Sequence, residues 1–305
     1  MEGLNHQGNL QGSSCLVATG SADKTVRVWD VRAKKAQAFT FRGHTDSVLT
    51  VRFSEGGDES DAGEGGKILV SGGKDKTIRI WDMRGGRLRA TLEKHFGSVG
   101  SVRFLPPGMA GSGSGPGSGM SGSSTFVSGG RDSIINLWDD SGDCVGAQAG
   151  HRGAATFFSD FNYNFHLKMT TKPTPSKQST LGSPMMLSSG ADNIIKVWDM
   201  RRFRAVSEIN LGTGGGPLTK AVWSGTNAIV AASGGNIRLW EYASEADEAD
   251  PYYANSSSSV DNPSAPASEW RCRNLASHAQ TCSDLISTDT FVASSSKSGQ
   301  IFCWV

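Results

Sequence analysis

The chain has 305 residues, with 30 Lys+Arg against 29 Asp+Glu and a formal net charge of +1. That balance excludes a surface built throughout to hold nucleic acid or anionic lipid, and leaves room only for a local patch. Thirty-nine glycines beside 37% hydrophobic and 19% charged residues describe a turn-rich β protein with polar loops rather than a helical bundle.

In chain order, the first hairpin reads VATGSADKTVRVWD at 17–30. A β-rich run leads into an Asp/Lys turn and a second run that alternates Thr or Arg with Val. Next comes GHTDSVLTVRF from Gly43, a His followed by another alternating strand, and then an acidic, Gly-rich insertion at 55–66. The hairpin returns as LVSGGKDKTIRIWD at 69–82, followed by KHFGSVGSVRF from Lys94 and a Gly/Ser insertion at 106–124. A third hairpin, FVSGGRDSIINLWD at 126–139, precedes GHRGAATFF from Gly150 and a long insertion at 159–185. The fourth, LSSGADNIIKVWD, ends at Asp199. Two weaker copies follow, VAASGGNIRLWE ending at Glu241 and VASSSKSGQIFCW ending at Trp304, separated by an insertion at 243–268 and a degenerate SHAQTCSDLI from Ser277. Gly/Ser runs and acidic blocks bury too little apolar surface to order themselves, so the four insertions are expected to be mostly mobile.

Each unit therefore carries four strands, with a Gly-His before the first and a Trp-Asp closing the third. This phrase resembles the WD-repeat (WD40) β-propeller family, and the resemblance covers essentially the whole chain. It implies an all-β propeller of six recognisable four-stranded blades at approximately 14–41, 43–93, 94–149, 150–210, 217–275 and 277–305. The first blade lacks its innermost strand and the last its outermost. Either the ring is an imperfect six-bladed one or the chain is a piece of a longer, seven-bladed protein, and the second is preferred because open strand edges need partners.

The resemblance also assigns roles to the recurring polar residues. In this family a His, a Ser or Thr, the turn Asp and the Trp form a hydrogen-bonded tetrad. Here the matching sets are His44, Ser71, Asp75 and Trp81; His95, Ser128, Asp132 and Trp138; and His151, Ser188, Asp192 and Trp198. The first blade has Thr19, Asp23 and Trp29 but no His, the fifth has neither His nor turn Asp, and the sixth keeps His278 but places Ser298 where the Asp belongs. An unpaired buried polar group costs about 1–3 kcal/mol, which explains the recurrence without any chemistry.

No enzyme signature stands out. Gly66-Lys67 and Gly73-Lys74 lack the Ser or Thr of a phosphate-binding loop, no Gly-x-Ser-x-Gly elbow occurs, and the acidic blocks at 55–64 and 241–250 lack calcium-loop spacing. Cys15, Cys144, Cys272, Cys282 and Cys303 form no Cys-x-x-Cys pair, so neither a metal site nor a disulfide framework is indicated. No cofactor is expected. No stretch approaches the roughly 18 apolar residues of a membrane span, and the first 14 residues do not form a signal peptide. The expected setting is the cytoplasm or nucleus, without a membrane.

Three copies continue past Trp-Asp to an arginine, at Arg32, Arg84 and Arg201. With Asp23 and Asp30, Asp75 and Asp82, and Asp192 and Asp199, they look like the box by which many WD-repeat proteins dock on the propeller adaptor of cullin-4 ubiquitin ligases. The expected function is a protein-interaction scaffold, with a ligase substrate receptor as the specific form and an assembly scaffold in RNA processing or signalling as the alternative. A nucleic-acid binder using Arg201, Arg202 and Arg204 with the basic 168–177 segment is disfavoured by the near-zero net charge. Loops near Arg42 to Asp46, Lys94 to Ser98 and Arg152 to Ala154 are where such proteins usually grip peptides.

Overall fold

A computed structural model of the chain describes residues 16–32, 37–54, 68–105, 125–139, 141–152, 155–158, 162, 184–212, 216–225, 227–242, 270–288 and 291–304. These residues form β-strands joined by turns and loops, all the strand pairings given below being antiparallel, and no helix long and apolar enough to cross a membrane occurs among them. The insertions at 55–66, 106–124 and 243–268 lie outside the described residues, as does most of 159–185.

The chain divides into two compact units. The first comprises Met1–Phe158, Gly190–Asp192 and Arg201–Phe203, and the second Ser159–Ser189, Asn193–Met200 and Arg204–Val305. In the first unit, β1 (Leu16–Gly20), β2 (Thr25–Asp30) and β3 (Gln37–Arg42) make a three-stranded sheet. Two four-stranded meanders follow: β4 (Val48–Phe53), β5 (Ile68–Gly73), β6 (Ile78–Asp82) and β7 (Arg87–Leu92), then β8 (Val99–Phe104), β9 (Phe126–Gly130), β10 (Ile134–Trp138) and β11 (Cys144–Ala149). The short β12 (Ala155–Phe158) completes its strands.

In the second unit, β13 (Met185–Gly190), β14 (Ile194–Asp199) and β15 (Arg204–Asn210) pair in order. They are followed by the four-stranded meander β16 (Leu218–Ser224), β17 (Ala228–Ser233), β18 (Asn236–Tyr242) and β19 (Trp270–Ser277). A three-stranded sheet of β20 (Cys282–Ser287), β21 (Val292–Ser296) and β22 (Ile301–Trp304) comes last.

Middle strands are buried on both faces, so their sequences read as apolar runs rather than strict alternation. Every residue of β5, β9, β13 and β17 is buried. In the first unit, Val70, Ile78, Ile80, Val99, Val102, Phe104, Phe126 and Trp138 form one core, and Val26, Val28, Phe41, Leu69, Trp81 and Met83 another. Phe41 stacks on Trp81 with ring centroids 4.9 Å apart. In the second unit, Leu187, Ile195, Val197, Ile229, Trp240 and Trp270 share a core.

The register repeats too. A bulge falls immediately before the tryptophan at Val28/Trp29, Ile80/Trp81, Leu137/Trp138 and Val197/Trp198. A second recurs near the start of the strand that opens the sheet, at Val48/Thr50, Val99/Ser101, Leu218/Lys220 and Cys282/Asp284. Bulges bend the strand and raise its twist at fixed points, so each sheet presents its polar residues at the same stations.

Candidate functional site

In the second sheet the polar residues close into a chain of bonds. His44 Nδ1 lies 2.8 Å from Asp75 Oδ2, His44 Nε2 lies 2.8 Å from Ser71 Oγ, and Trp81 Nε1–H donates to Ser71 Oγ at 2.8 Å. One proton arrangement satisfies every atom. The indole donates to the serine, the serine hydroxyl donates to Nε2 of a neutral imidazole, and Nδ1–H donates to the carboxylate. The same carboxylate accepts the backbone N–H groups of Thr45 at 2.9 Å and Thr77 at 3.2 Å. Burial favours this neutral ring and draws the His44 pKa below its ordinary value, against the pull of Asp75. Asp75 is pushed up by its own burial, but the bonds from Thr45, His44 and Thr77 outweigh that and hold it below the usual carboxylate range.

The third sheet repeats the set. His95 meets Asp132 at 2.7 Å and Ser128 at 2.7 Å, and Trp138 Nε1–H donates to Ser128 at 2.7 Å. Connectivity of Ser to His to Asp is that of a hydrolase triad, yet Ser71 and Ser128 are both 0% exposed and both carry an indole donor on the oxygen. A nucleophile sealed from substrate and occupied by a donor cannot attack; the arrangement holds strands instead. In the first unit His151 Nδ1 lies 3.0 Å from Asp192 Oδ1, and in the second Trp198 Nε1–H donates to Ser188 at 2.8 Å.

The departures have physical causes. In the first sheet, which has no histidine, Trp29 Nε1–H still donates to Thr19 at 3.0 Å, while Arg27 reaches Asp23 at 2.6 Å. Thr25, through its hydroxyl first and then its N–H, lowers the Asp23 carboxyl to about 2. In the last sheet His278 Nε2 meets Ser294 at 2.7 Å, but its buried Nδ1 has no partner among the described residues.

Ser298 stands where Asp75 stands, because the turns are bonded alike. Ser296 N–H donates to Gln300 O, and Lys297 N–H to Thr281 O, as Gly73 N–H does to Thr77 O and Lys74 N–H to Ser47 O. The Ser298 hydroxyl lies instead against that of Ser296, at 2.7 Å. Glycine explains why one substitution would not restore the set. A Cβ on Gly73, Gly130 or Gly190 would come within 2.7, 2.8 and 2.4 Å of the neighbouring histidine Nδ1, and the equivalent residue here is Ser296. Ser298→Asp alone is therefore expected to gain little, whereas Ser296→Gly with Ser298→Asp gives His278 its acceptor and adds about 1 kcal/mol. Urea unfolding of both single variants and the double one checks this; a double variant no more stable than the sum of the singles would count against the packing argument.

The stations after Trp-Asp separate into inward carboxylates and outward arginines. Asp30 and Asp199 are buried, as are the side chains of Asp75 and Asp192, so these four are turned into the protein. Asp30 accepts the Arg32 N–H at 3.0 Å and Asp82 the Arg84 N–H at 2.8 Å, which fixes both turns. Arg32, Arg84 and Arg201 are exposed. Between Asp and Arg, Met83 and Met200 are buried whereas Val31 is 59% exposed, so the first station lacks the apolar anchor of the other two.

Two features escaped the sequence. Asn162, inside the 159–185 insertion expected to be mobile, is buried and exchanges backbone bonds of 2.9 Å with Met185 in both directions; its side-chain amide donates to Gly225 O at 3.1 Å. Phe96, 80% exposed, was masked by the His95 motif beside it. The 168–177 segment and residues 153–154 lie outside the described residues, whereas Arg202 and Arg204 are exposed. Cys144, Cys272, Cys282 and Cys303 are free thiols. Among the described residues no group of three His, Cys, Asp or Glu side chains could hold a metal ion.

Repeated antiparallel sheets carry the same Trp–Ser and His–Asp bonds, and the family model for the WD domain, G-beta repeat, matches residues 6–30, 35–82 and 86–139, less than half of the chain. The chain is similar to the nuclear distribution protein PAC1 of Arthroderma otae, at 30% identity over 64% of this chain and 35% of that protein. Protein tipD of Dictyostelium discoideum is 27% identical over 74% of this chain and 38% of its own length. The nuclear distribution protein nudF of Aspergillus niger is 36% identical over 34% of this chain and 21% of its own. The chain thus spans well under half the length of these relatives. Among solved structures, the computationally designed Ika8 protein superposes with a TM-score of 0.62 over 96% of this chain and 69% of that one, at 20% identity, a likeness of fold alone.

Proposed function

We propose that the chain is a non-catalytic protein-interaction scaffold working inside the cell, in cytoplasm or nucleus, and that its specific form is a substrate receptor docked on the cullin-4 adaptor propeller. The carrying observation is the division of labour after Trp-Asp. The buried or turn-fixing carboxylates hold the backbone, and Arg32, Arg84 and Arg201 are left exposed on turns. A guanidinium on a rigid turn offers a planar fork of donors to carboxylates or carbonyls across an interface. Arg84 and Arg201 carry more of the binding than Arg32, because their turns are anchored by buried Met83 and Met200.

The test is a pull-down between purified adaptor and this chain, wild type against an Arg84→Ala, Arg201→Ala double variant shown by circular dichroism to be folded. Binding by wild type and its loss in the variant is the expected result, since anchoring arginines at an interface each contribute about 2 kcal/mol or more. Folded wild type that fails to bind removes the ligase form. A second reading, an assembly scaffold of the kind named nuclear distribution proteins, is favoured by the relatives and makes no demand on the arginines.

A further inference from the structure

In the first unit the loops and turns at one end of the sheets are stitched into a single surface. Val48 N–H donates to Ser21 O at 3.0 Å, Lys74 N–H to Ser47 O at 2.8 Å, Arg131 N–H to Ser98 O at 2.9 Å and Gly150 N–H to Ser133 O at 2.8 Å. Gly72 lies so close to Val99 that a Cβ there would come within 2.7 Å of it, which sets the end of β5 against the start of β8 and so brings the turn and the loop that adjoin them side by side. The surface therefore runs through residues 21–24, 43–47, 73–76, 94–98, 131–133 and 150–152.

Its charge is not that of the whole chain. Lys24, Lys74, Lys76, Lys94, Arg131 and Arg152 are all exposed, and among the described residues none makes a side-chain ion pair. The carboxylates on the same loops are largely engaged. Asp75, Asp132 and Asp192 accept from histidines, and Asp23 from Arg27. Asp46 is held below the usual carboxylate range by the Ser47 N–H and then by Lys74 and Lys24. Six outward cations thus face solvent with Asp46 and Glu93 as the remaining outward acids, on a protein whose net charge is +1.

Phe96 stands on this surface with 80% of its area in water. Its own N–H donates to Asp132 Oδ2 at 2.9 Å. A Cβ on the next residue, Gly97, would come within 2.6 Å of the Asp132 backbone nitrogen, so the loop backbone is pressed against the neighbouring turn. An exposed aromatic ring on a braced backbone, on a surface that also carries these cations, is suited to a ligand that offers an apolar group flanked by negative charge.

We propose that this surface binds an acidic protein segment carrying an apolar side chain, which packs on Phe96 while its carboxylates meet the lysines and arginines. This rests on the reading of the chain as a protein-binding scaffold and names the partner chemistry of one of its surfaces. A peptide fits better than nucleic acid, because the outward Asp46 and Glu93 would oppose a continuous phosphate chain.

Fluorescence anisotropy tests it with three labelled probes: a short peptide alternating glutamate and leucine, a charge-matched peptide of glutamate and serine, and a thymidine oligonucleotide. The glutamate/leucine peptide is expected to bind wild type, to bind at least about fivefold more tightly than the serine peptide, and to weaken by about fivefold in Phe96→Ser. Arg131→Glu and higher salt weaken it further. Phe96→Ser leaves the adaptor pull-down unchanged, so failure here is separable from failure of the docking reading. No binding of the glutamate/leucine peptide, equal binding in Phe96→Ser, or tighter binding of the oligonucleotide would each overturn the proposal.

Discussion

Asp75→Ala lowers the unfolding free energy by about 3 kcal/mol, far more than truncating an exposed turn residue, because one carboxylate closes several bonds at once. Without it, His44 Nδ1 has lost its acceptor, and the side chain is 1% exposed, so water cannot replace the carboxylate. The backbone N–H groups of Thr45 and Thr77 and the Thr77 hydroxyl lose the same partner. Asp75→Asn, which keeps one acceptor oxygen, is expected to cost about 1 kcal/mol. Urea denaturation of the purified chain measures both, and near-equality of alanine variant and wild type would mean that the set does not hold the sheet.

The same bonds set a direction for pH. His44 is lowered in the folded protein, so its contribution is fully present above the ordinary histidine value of 6.5 and is lost as pH falls through its folded value. Asp75 is lowered as well, and its contribution goes as pH drops below 3.8 through its own folded value. Stability therefore declines in two acid steps, and the alanine variant lacks the second of them at this site.

Much of this arrangement is legible in the sequence, because a repeat displays its constraints several times. The spacing of Ser71 to Trp81, Ser128 to Trp138 and Ser188 to Trp198 is the same ten residues that the indole bonds span. Asp75, Asp132 and Asp192 fall at one turn position, each followed by a residue of positive φ, namely Lys76, Ser133 and Asn193. What is not legible lies in the third dimension. Gly73, Gly130 and Gly190 read as ordinary turn glycines, and only the packed histidine shows why a side chain is excluded there. Arg27 reads as one of the alternating strand residues, yet it takes the carboxylate that lacks a histidine.

The proposed docking box illustrates the same limit. Its two carboxylates and its arginine stand together in sequence, but Asp30 and Asp199 are turned inward whereas Arg32, Arg84 and Arg201 are exposed. Periodicity gives which residues recur, and burial decides which of them a partner could touch. Asn162 was missed for another reason: it stands between Phe161 and Tyr163 in a long insertion, and a single bridge to Met185 leaves no repeat by which the sequence could announce it.

The central claim is that the recurring His, Ser and Asp residues hold the sheets and leave the loops and arginines for contact with other proteins. A double-mutant cycle on His95 and Asp132 tests it most directly, since the pair meets at 2.7 Å with side chains 1% and 5% exposed. His95→Phe and Asp132→Ala are each expected to cost about 3 kcal/mol, and together little more than either alone, giving a coupling of about 2 kcal/mol or more. Single-variant losses that add within about 0.5 kcal/mol would contradict the claim, because two buried residues in direct hydrogen-bond contact cannot be independent if that contact holds the sheet.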